Sequence, residues 1–171
     1  MTNTIRYLSA KLGSRALQSL LGLLLCLPVY ADSLCTPEEQ EIALAMHVYH
    51  EDRVAEKGMV AVGQVVINRA NDPRWGYDLC EVIYQPSNNP LLPKKCAMSW
   101  TCDDVPDATL ETERYELAEK VAKYLISGYY DLDPVFGALY YYRCELHGKD
   151  SWMNNLDFVV QVGLHCYYID K

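Results

Sequence analysis

Six cysteines spread over residues 35 to 166 constrain the fold of this chain more than any other feature of its sequence. None of them has the Cys-x-x-Cys spacing that is typical of a zinc cluster. An even number of scattered cysteines in an exported domain indicates disulfide bonds, but the spacing does not choose among the possible pairings. The six are Cys35, Cys80, Cys96, Cys102, Cys144 and Cys166, and the seventh cysteine of the chain, Cys26, lies in an N-terminal segment that we expect to be removed.

The first 31 residues have the composition of a secretory signal peptide. Arg6, Lys11 and Arg15 precede an apolar stretch at 17–29, and Val29-Tyr30-Ala31 places small residues where a signal peptidase cleaves. The apolar stretch is shorter than the roughly 20 residues that a bilayer span needs. We therefore expect a signal peptide at 1–31, a single domain at 32–171 with no stable membrane span, and a periplasmic or extracellular location.

The domain that remains is strongly acidic. The whole chain has a formal charge of −8, and residues 1–31 contain three basic and no acidic residues, so 32–171 has a charge of −11. Nucleic acid is an improbable partner because its phosphates would be repelled. An anionic wall polymer would have to be recognised through short-range contacts. The sequence sets no oligomeric state.

The first half of this domain has helical patterns. Thr36-Pro37-Glu38-Glu39 is a capping box, and the apolar spacing that follows predicts a helix with Glu51 at its end, beside apolar surface. The run at 58–70 is apolar on nearly all sides and predicts a buried central helix. A short helix at 78–84 and an irregular segment at 85–101, held by its cysteines, are expected next.

The second half combines one more helix with short strands. Apolar residues from Leu110 to Leu125 predict an amphipathic helix that ends at Gly128. The segments 138–142, 158–162 and 164–168 resemble strands, with Gly163 as a turn or bulge. The fold class is therefore α+β, mainly helical, with a small sheet.

Glu51 is the first candidate for chemistry. A carboxyl group beside apolar side chains has a raised pKa and can hold a proton near neutral pH, as a glycosidic acid must. Most glutamates are solvated surface residues, so this pattern alone is weak evidence. His47, His50 and Glu51 could share a helix face and hold zinc, but neither His-Glu-x-x-His nor His-x-x-Glu-His is present. We expect no metal and no organic cofactor.

Five blocks in a fixed order carry a resemblance to a known family. They are Tyr-His-Glu-Asp-Arg at 49–53, the apolar segment with Asn-Arg at 58–69, Met-Ser-Trp at 98–100, Gly-Ala-Leu-Tyr-Tyr at 137–141 and Val-Gly-Leu-His-Cys-Tyr-Tyr at 162–168. With these blocks the chain resembles the SleB-like cell wall hydrolases, named for a spore cortex-lytic enzyme. The resemblance covers about residues 40–168, which is nearly the whole of the domain at 32–171. It implies a lysozyme-like single domain with a small antiparallel sheet.

The resemblance also implies which residues act. In that family the glutamate of Tyr-Gly-Glu-Ala-Arg-Gly-Glu is the catalytic acid, which corresponds to Glu51. Three positions depart from the motif, the segment up to Gly58 looks one residue shorter, and the second glutamate has only Glu56 as a candidate. Those three positions are His50, Asp52 and Val54.

Four further residues in the matched blocks are candidates for binding the substrate. Aromatic rings stack on sugars and polar groups bond to them, although buried aromatic residues are more often core. His165, next to Cys166, could instead satisfy a buried backbone group, and Tyr140 and Trp152 rank lower. The four are Ser99, Trp100, Tyr141 and His165.

The activity that the resemblance implies is cleavage of peptidoglycan glycan strands by a lytic transglycosylase. Such an enzyme needs one acid, because the muramyl 6-hydroxyl attacks its own anomeric carbon, whereas hydrolases usually need a second carboxylate. Asp52 is expected to be a poor second carboxylate, because adjacent helix residues point about 100° apart. Asp103 and Asp104 remain candidates to activate water.

Two alternatives stay open. A disulfide-stapled module of the same fold could bind the cell wall without catalysis, which the altered residues around Glu51 would favour. A zinc amidase is the weaker alternative, and activity that is insensitive to a chelator would exclude it.

Overall fold

The computed structural model describes residues 35–86, 96, 98–102, 111–130, 132–146 and 154–171. This part of the chain folds into four α-helices followed by a three-stranded antiparallel sheet. The expected α+β class, mainly helical with a small sheet, is confirmed. The predicted signal peptide, Asp103, Asp104 and Trp152 lie outside the described residues.

The first helix, α1 (Pro37–Glu51), begins at the predicted capping box. Thr36 Oγ1 accepts a hydrogen bond from the backbone N–H of Glu39 at 3.3 Å, and the Glu39 carboxylate accepts one from the Thr36 N–H at 2.7 Å. These bonds satisfy two N–H groups that have no partner within the helix. Residues 43–49 are buried, and the helix ends at Glu51 as expected.

The second helix, α2 (Glu56–Ala70), is the predicted buried helix and lies at the centre of the core. It packs closely where Gly63 faces its neighbours. A Cβ atom there would lie 2.5 Å from Leu125 Cδ1 and 2.9 Å from Val48 Cγ1. The missing side chain thus lets the first, second and fourth helices approach one another.

The third helix, α3 (Leu79–Ile83), and the fourth, α4 (Thr112–Ile126), match the two remaining helical predictions. The Asp78 side chain caps α3. Gly128, with φ of +68°, ends α4 in the left-handed conformation that its sequence predicts.

The sheet is built from β1 (Tyr140–Arg143), β2 (Leu156–Val162) and β3 (His165–Asp170), with β3 in the centre. Both pairings are antiparallel, and Gly163, with φ of +58°, lies in the turn between β2 and β3. In the first pairing Tyr141 lies opposite Tyr167. The expected strands and the glycine turn are confirmed.

All six cysteines form disulfides, as their even number predicted. Cys35–Cys80 joins the start of α1 to α3, and Cys96–Cys102 closes a short loop. Cys144–Cys166 joins the segment after β1 to β3. In the described ranges every helix is too short or too polar to cross a bilayer.

Candidate active site

Glu51 is half-buried at the last position of α1. Tyr141, from β1, forms a side-chain hydrogen bond with it, and the charge of the Arg69 guanidinium acts on it. Burial raises the pKa of Glu51 because the charged form loses hydration, and Tyr141 and Arg69 oppose this shift in part. The carboxyl group therefore keeps its proton to a higher pH than a glutamate in water.

Tyr141 links Glu51 to the side chains around it. Its hydroxyl oxygen also lies 3.9 Å from Met98 Sδ. Its ring meets the rings of His47 and His165 edge to face, with centroid distances of 6.4 and 5.5 Å. Burial and the nearby charge of Glu51 raise the pKa of Tyr141, so the hydroxyl keeps its proton and can donate it in a hydrogen bond.

Arg69, in the last turn of α2, is a buried cation that braces the site. Its Nε donates to the carbonyl of Leu139 at 2.7 Å, and its guanidinium lies 4.1 Å from the ring centroid of Trp75. The preceding residue, Asn68, donates to Asp133 and to the carbonyl of Ala138. With these contacts Asn68 and Arg69 hold the end of α2 to the segment that leads into β1.

Trp100 lies in an aromatic cluster with His50, the residue before Glu51. The ring of His50 stacks on it in parallel, at 5.0 Å between centroids and 5° between planes, and Tyr84 meets it at 6.3 Å. Its Nε1–H donates to His47 Nδ1 at 3.4 Å. His47 is fully buried, and burial lowers its pKa to about 3, so this imidazole is neutral and serves as an acceptor.

Asp52 follows Glu51 and is buried, which the sequence did not suggest. Its φ of −143° places it outside the helix, so the angular argument used against it from helix geometry does not apply. Oδ1 accepts hydrogen bonds from the backbone N–H groups of Val54 and Ala55, at 2.9 and 3.4 Å. Oδ2 faces His165 Nδ1 at 3.8 Å. The acidic side chain thus joins the end of α1 to β3.

Tyr167 is a second residue of this site that the sequence did not single out. It is fully buried on β3, and its hydroxyl has no hydrogen-bond partner among the described residues. Burial raises its pKa, and the negative charges of Asp52 and Glu51 raise it further. The phenol therefore keeps its proton and lies within the field of both carboxylates.

The structure brings four sequence-predicted residues into one region. Glu51, Tyr141 and His165 are linked by direct contacts, and Trp100 joins them through His47, which contacts both Trp100 and Tyr141. Ser99 begins a 3-10 turn (Ser99–Cys102) next to Trp100, and its side chain lies outside the description. Across the described ranges, no group of three His, Cys, Asp or Glu side chains is placed to hold a metal ion.

Comparisons with known proteins agree with this fold. A family model described as cell wall hydrolase matches residues 54–168. The catalytic domain of the germination-specific lytic transglycosylase SleB from Bacillus anthracis superposes with a TM-score of 0.60 at 22% identity, covering 80% of this chain and 99% of that one. For the catalytic domain of SleB from Bacillus cereus the TM-score is 0.56 at 21% identity, covering 80% and 94%. No curated protein matches the chain significantly.

Proposed function

This chain belongs to the cell wall hydrolase family, and on that premise we propose that it cleaves the glycan strands of peptidoglycan as a lytic transglycosylase. Glu51 is proposed as the general acid and then the general base. The chain needs no metal and no organic cofactor for this reaction.

The state of Glu51 is the observation that carries the proposal. A general acid must be protonated at the working pH, and burial raises the pKa of Glu51 in that direction. It also needs a fixed orientation, which the hydrogen bond with Tyr141 provides. One of the solved structures of the same fold is the catalytic domain of a germination-specific lytic transglycosylase.

The proposed reaction uses this one carboxyl group twice. Glu51 gives its proton to the glycosidic oxygen as the bond from that oxygen to the muramyl C1 breaks. The Glu51 carboxylate then takes the proton of the 6-hydroxyl of the same sugar, whose oxygen bonds to C1. The product has a 1,6-anhydro ring, and Glu51 is protonated again.

Asp52, which follows Glu51, is poorly placed to serve as the second carboxyl group that a hydrolase needs. Asp52 is buried and its Oδ1 is engaged by two backbone N–H groups. A nucleophile or a base that activates water must reach the sugar. This favours the transglycosylase over a hydrolase that pairs Glu51 with Asp52.

We propose that Trp100, Tyr141 and Ser99 bind the sugar chain around Glu51. His165, the fourth residue expected to do so, is less than a tenth exposed and lies against Tyr141. Trp100 has a half-buried ring that stacks on His50, the residue before Glu51, and aromatic faces are suited to sugar rings. The three disulfides and the family are consistent with an exported protein. Removal of a signal peptide at 1–31 and a periplasmic or extracellular location are part of the proposal.

The test is mass spectrometry of the soluble fragments released from purified peptidoglycan by oxidised protein comprising residues 32–171. We expect muropeptides that end in 1,6-anhydromuramic acid, and their absence with the Glu51→Gln variant. Reducing muramic ends would reject the transglycosylase and require a second carboxylate. Binding to the wall without any release of fragments would instead support the non-catalytic module.

A further inference from the structure

A buried polar contact joins the end of α1 to the start of β3. Asp52 Oδ2 lies 3.8 Å from His165 Nδ1, and both residues are less than a tenth exposed. Gly163, in the turn before β3, lies against the same oxygen, because a Cβ atom there would be 3.6 Å from it. Gly58 lies against it from α2 and leaves no room for a side chain. Asp52 Oδ2 is therefore enclosed by three elements of the fold.

The two sides of this contact complement each other chemically. Asp52 Oδ2 is an acceptor, and His165 Nδ1 is buried with no hydrogen-bond partner among the described residues. An imidazole that carries its proton on Nδ1 would donate to Oδ2 after a shift of about 1 Å, which brings the pair within hydrogen-bond range. A buried carboxylate next to a histidine nitrogen commonly fixes which nitrogen is protonated.

A series of contacts leads from His165 through Tyr141 to Glu51. The His165 ring meets the Tyr141 ring edge to face at 5.5 Å and an angle of 89°, and the Tyr141 hydroxyl forms a hydrogen bond with Glu51. An edge-to-face contact depends on the orientation of both rings. A change in the His165 ring would therefore change the position of the Tyr141 hydroxyl at Glu51.

We propose that Asp52 and His165 are positioning residues for the general acid: Asp52 holds the His165 ring with its proton on Nδ1, and the ring holds Tyr141 against Glu51. This inference rests on the proposed function of Glu51. The neutral state of the ring supports it, because burial lowers the pKa of His165, and the charge of Arg143 acts in the same direction while Asp52 opposes both.

The Asp52→Asn variant tests the role of Asp52 Oδ2, the oxygen that faces His165. Asparagine has the same shape, so it still fits against Gly58, and its Oδ1 can still accept the bond from the Val54 N–H. Its Nδ2 then points to His165 in place of Oδ2. Because Nδ2 is a donor, the ring has to offer a lone pair there and move its proton to Nε2.

The first measurement is the tautomer of His165, read from its ring ¹⁵N chemical shifts in the folded protein. We expect the Nδ1–H form in the unaltered domain and the Nε2–H form in Asp52→Asn. An Nε2–H ring in the unaltered domain would overturn the proposal. This measurement needs no enzymatic activity, so its result is separate from the success or failure of the proposed function.

The second measurement is the kinetics of fragment release. Asp52→Asn should lower kcat by about tenfold to a hundredfold, and by no more than Tyr141→Phe does, with little change in KM, since small displacements of catalytic groups have effects of this size. Asp157→Asn, an exposed position on β2, removes the same charge and should leave kcat unchanged. Equal rates for Asp52→Asn and Asp157→Asn, with both variants folded, would contradict the positioning role.

A double-mutant cycle tests whether the effect passes through Tyr141. If it does, Asp52→Asn adds little to the loss caused by Tyr141→Phe, because both remove the same hydroxyl contact at Glu51. If the loss of kcat in the double variant equals the product of the two single losses, Asp52 acts by another route and the proposed chain of contacts is rejected.

Discussion

Glu39 and Glu51 stand near the two ends of α1, and the protein shifts their pKa values in opposite directions. Hydrogen bonds from Thr36 lower the pKa of the exposed Glu39, whereas burial raises that of Glu51. The carboxylate of Glu39 accepts a hydrogen bond from the Thr36 N–H at the N-terminus of the helix, which stabilises its negative charge. Glu51 is mostly enclosed by protein, and among the described residues Tyr141 and Arg69 oppose the effect of the lost hydration. The same side chain is thus a cap at one end and a candidate acid at the other.

The largest difference between these two glutamates should appear in catalysis. Glu51→Gln removes the proposed proton donor and should lower kcat by about 100- to 10,000-fold, the usual contribution of general acid–base catalysis. Glu39→Gln is the matched control on the same helix and should leave kcat unchanged. Rates of release of soluble fragments from peptidoglycan measure both. Similar rates for the two variants would remove Glu51 from the mechanism.

Removal of the Tyr141 hydroxyl should increase the difference in pKa between Glu51 and Glu39, and it should lower activity. The hydrogen bond with Tyr141 lowers the pKa of Glu51, so in Tyr141→Phe that pKa should rise further. The limb of the pH–rate profile on which the acid loses its proton then moves to higher pH. We also expect kcat to fall by about tenfold to a hundredfold, because a hydrogen bond to a charged group is lost. A limb that moves to lower pH would contradict the assignment.

Tyr84→Phe is a suitable control for this substitution. Tyr84 is an exposed tyrosine that meets Trp100 through its ring, which phenylalanine retains. In the pH–rate profile of Tyr84→Phe, the limb on which Glu51 loses its proton should stay at the same pH as in the unaltered domain.

The fold could be predicted from the sequence where local signals were strong. The capping box at Thr36 and the regular apolar spacing after it locate both the start of α1 and Glu51 at its end. Gly128 and Gly163 were recognisable because their positive φ angles favour glycine. The pairing of the cysteines was not predictable, because Cys35 and Cys80 are 45 residues apart and meet only through the packing of α3 on α1.

The candidate site was predictable only in part, because its contacts join distant segments. Nothing in the sequence places His165 beside Asp52, since β3 and the end of α1 meet only in the folded domain. Asp52 was set aside on the assumption that it continues the helix, but its extended backbone turns its side chain into the protein. An aspartate separated by three residues from the start of a new helix could have indicated a side chain that caps a turn.

The smallest expected effect is on stability, where the two glutamates should have opposite dependences on pH. Glu51 has a raised pKa in the folded state, so its contribution is full below the unfolded pKa and is lost as pH rises through the folded pKa. Glu39 has a lowered pKa, so its contribution is present above the unfolded pKa and is lost as pH falls through the folded one. At neutral pH, Glu51→Gln should therefore raise the melting temperature and Glu39→Gln should lower it. The difference in melting temperature between each variant and the unaltered protein should become smaller at acidic pH. Thermal unfolding of the two variants and the unaltered protein between pH 3 and pH 8 measures these differences. Shifts of the same sign would mean that burial of Glu51 does not outweigh its contacts with Tyr141 and Arg69.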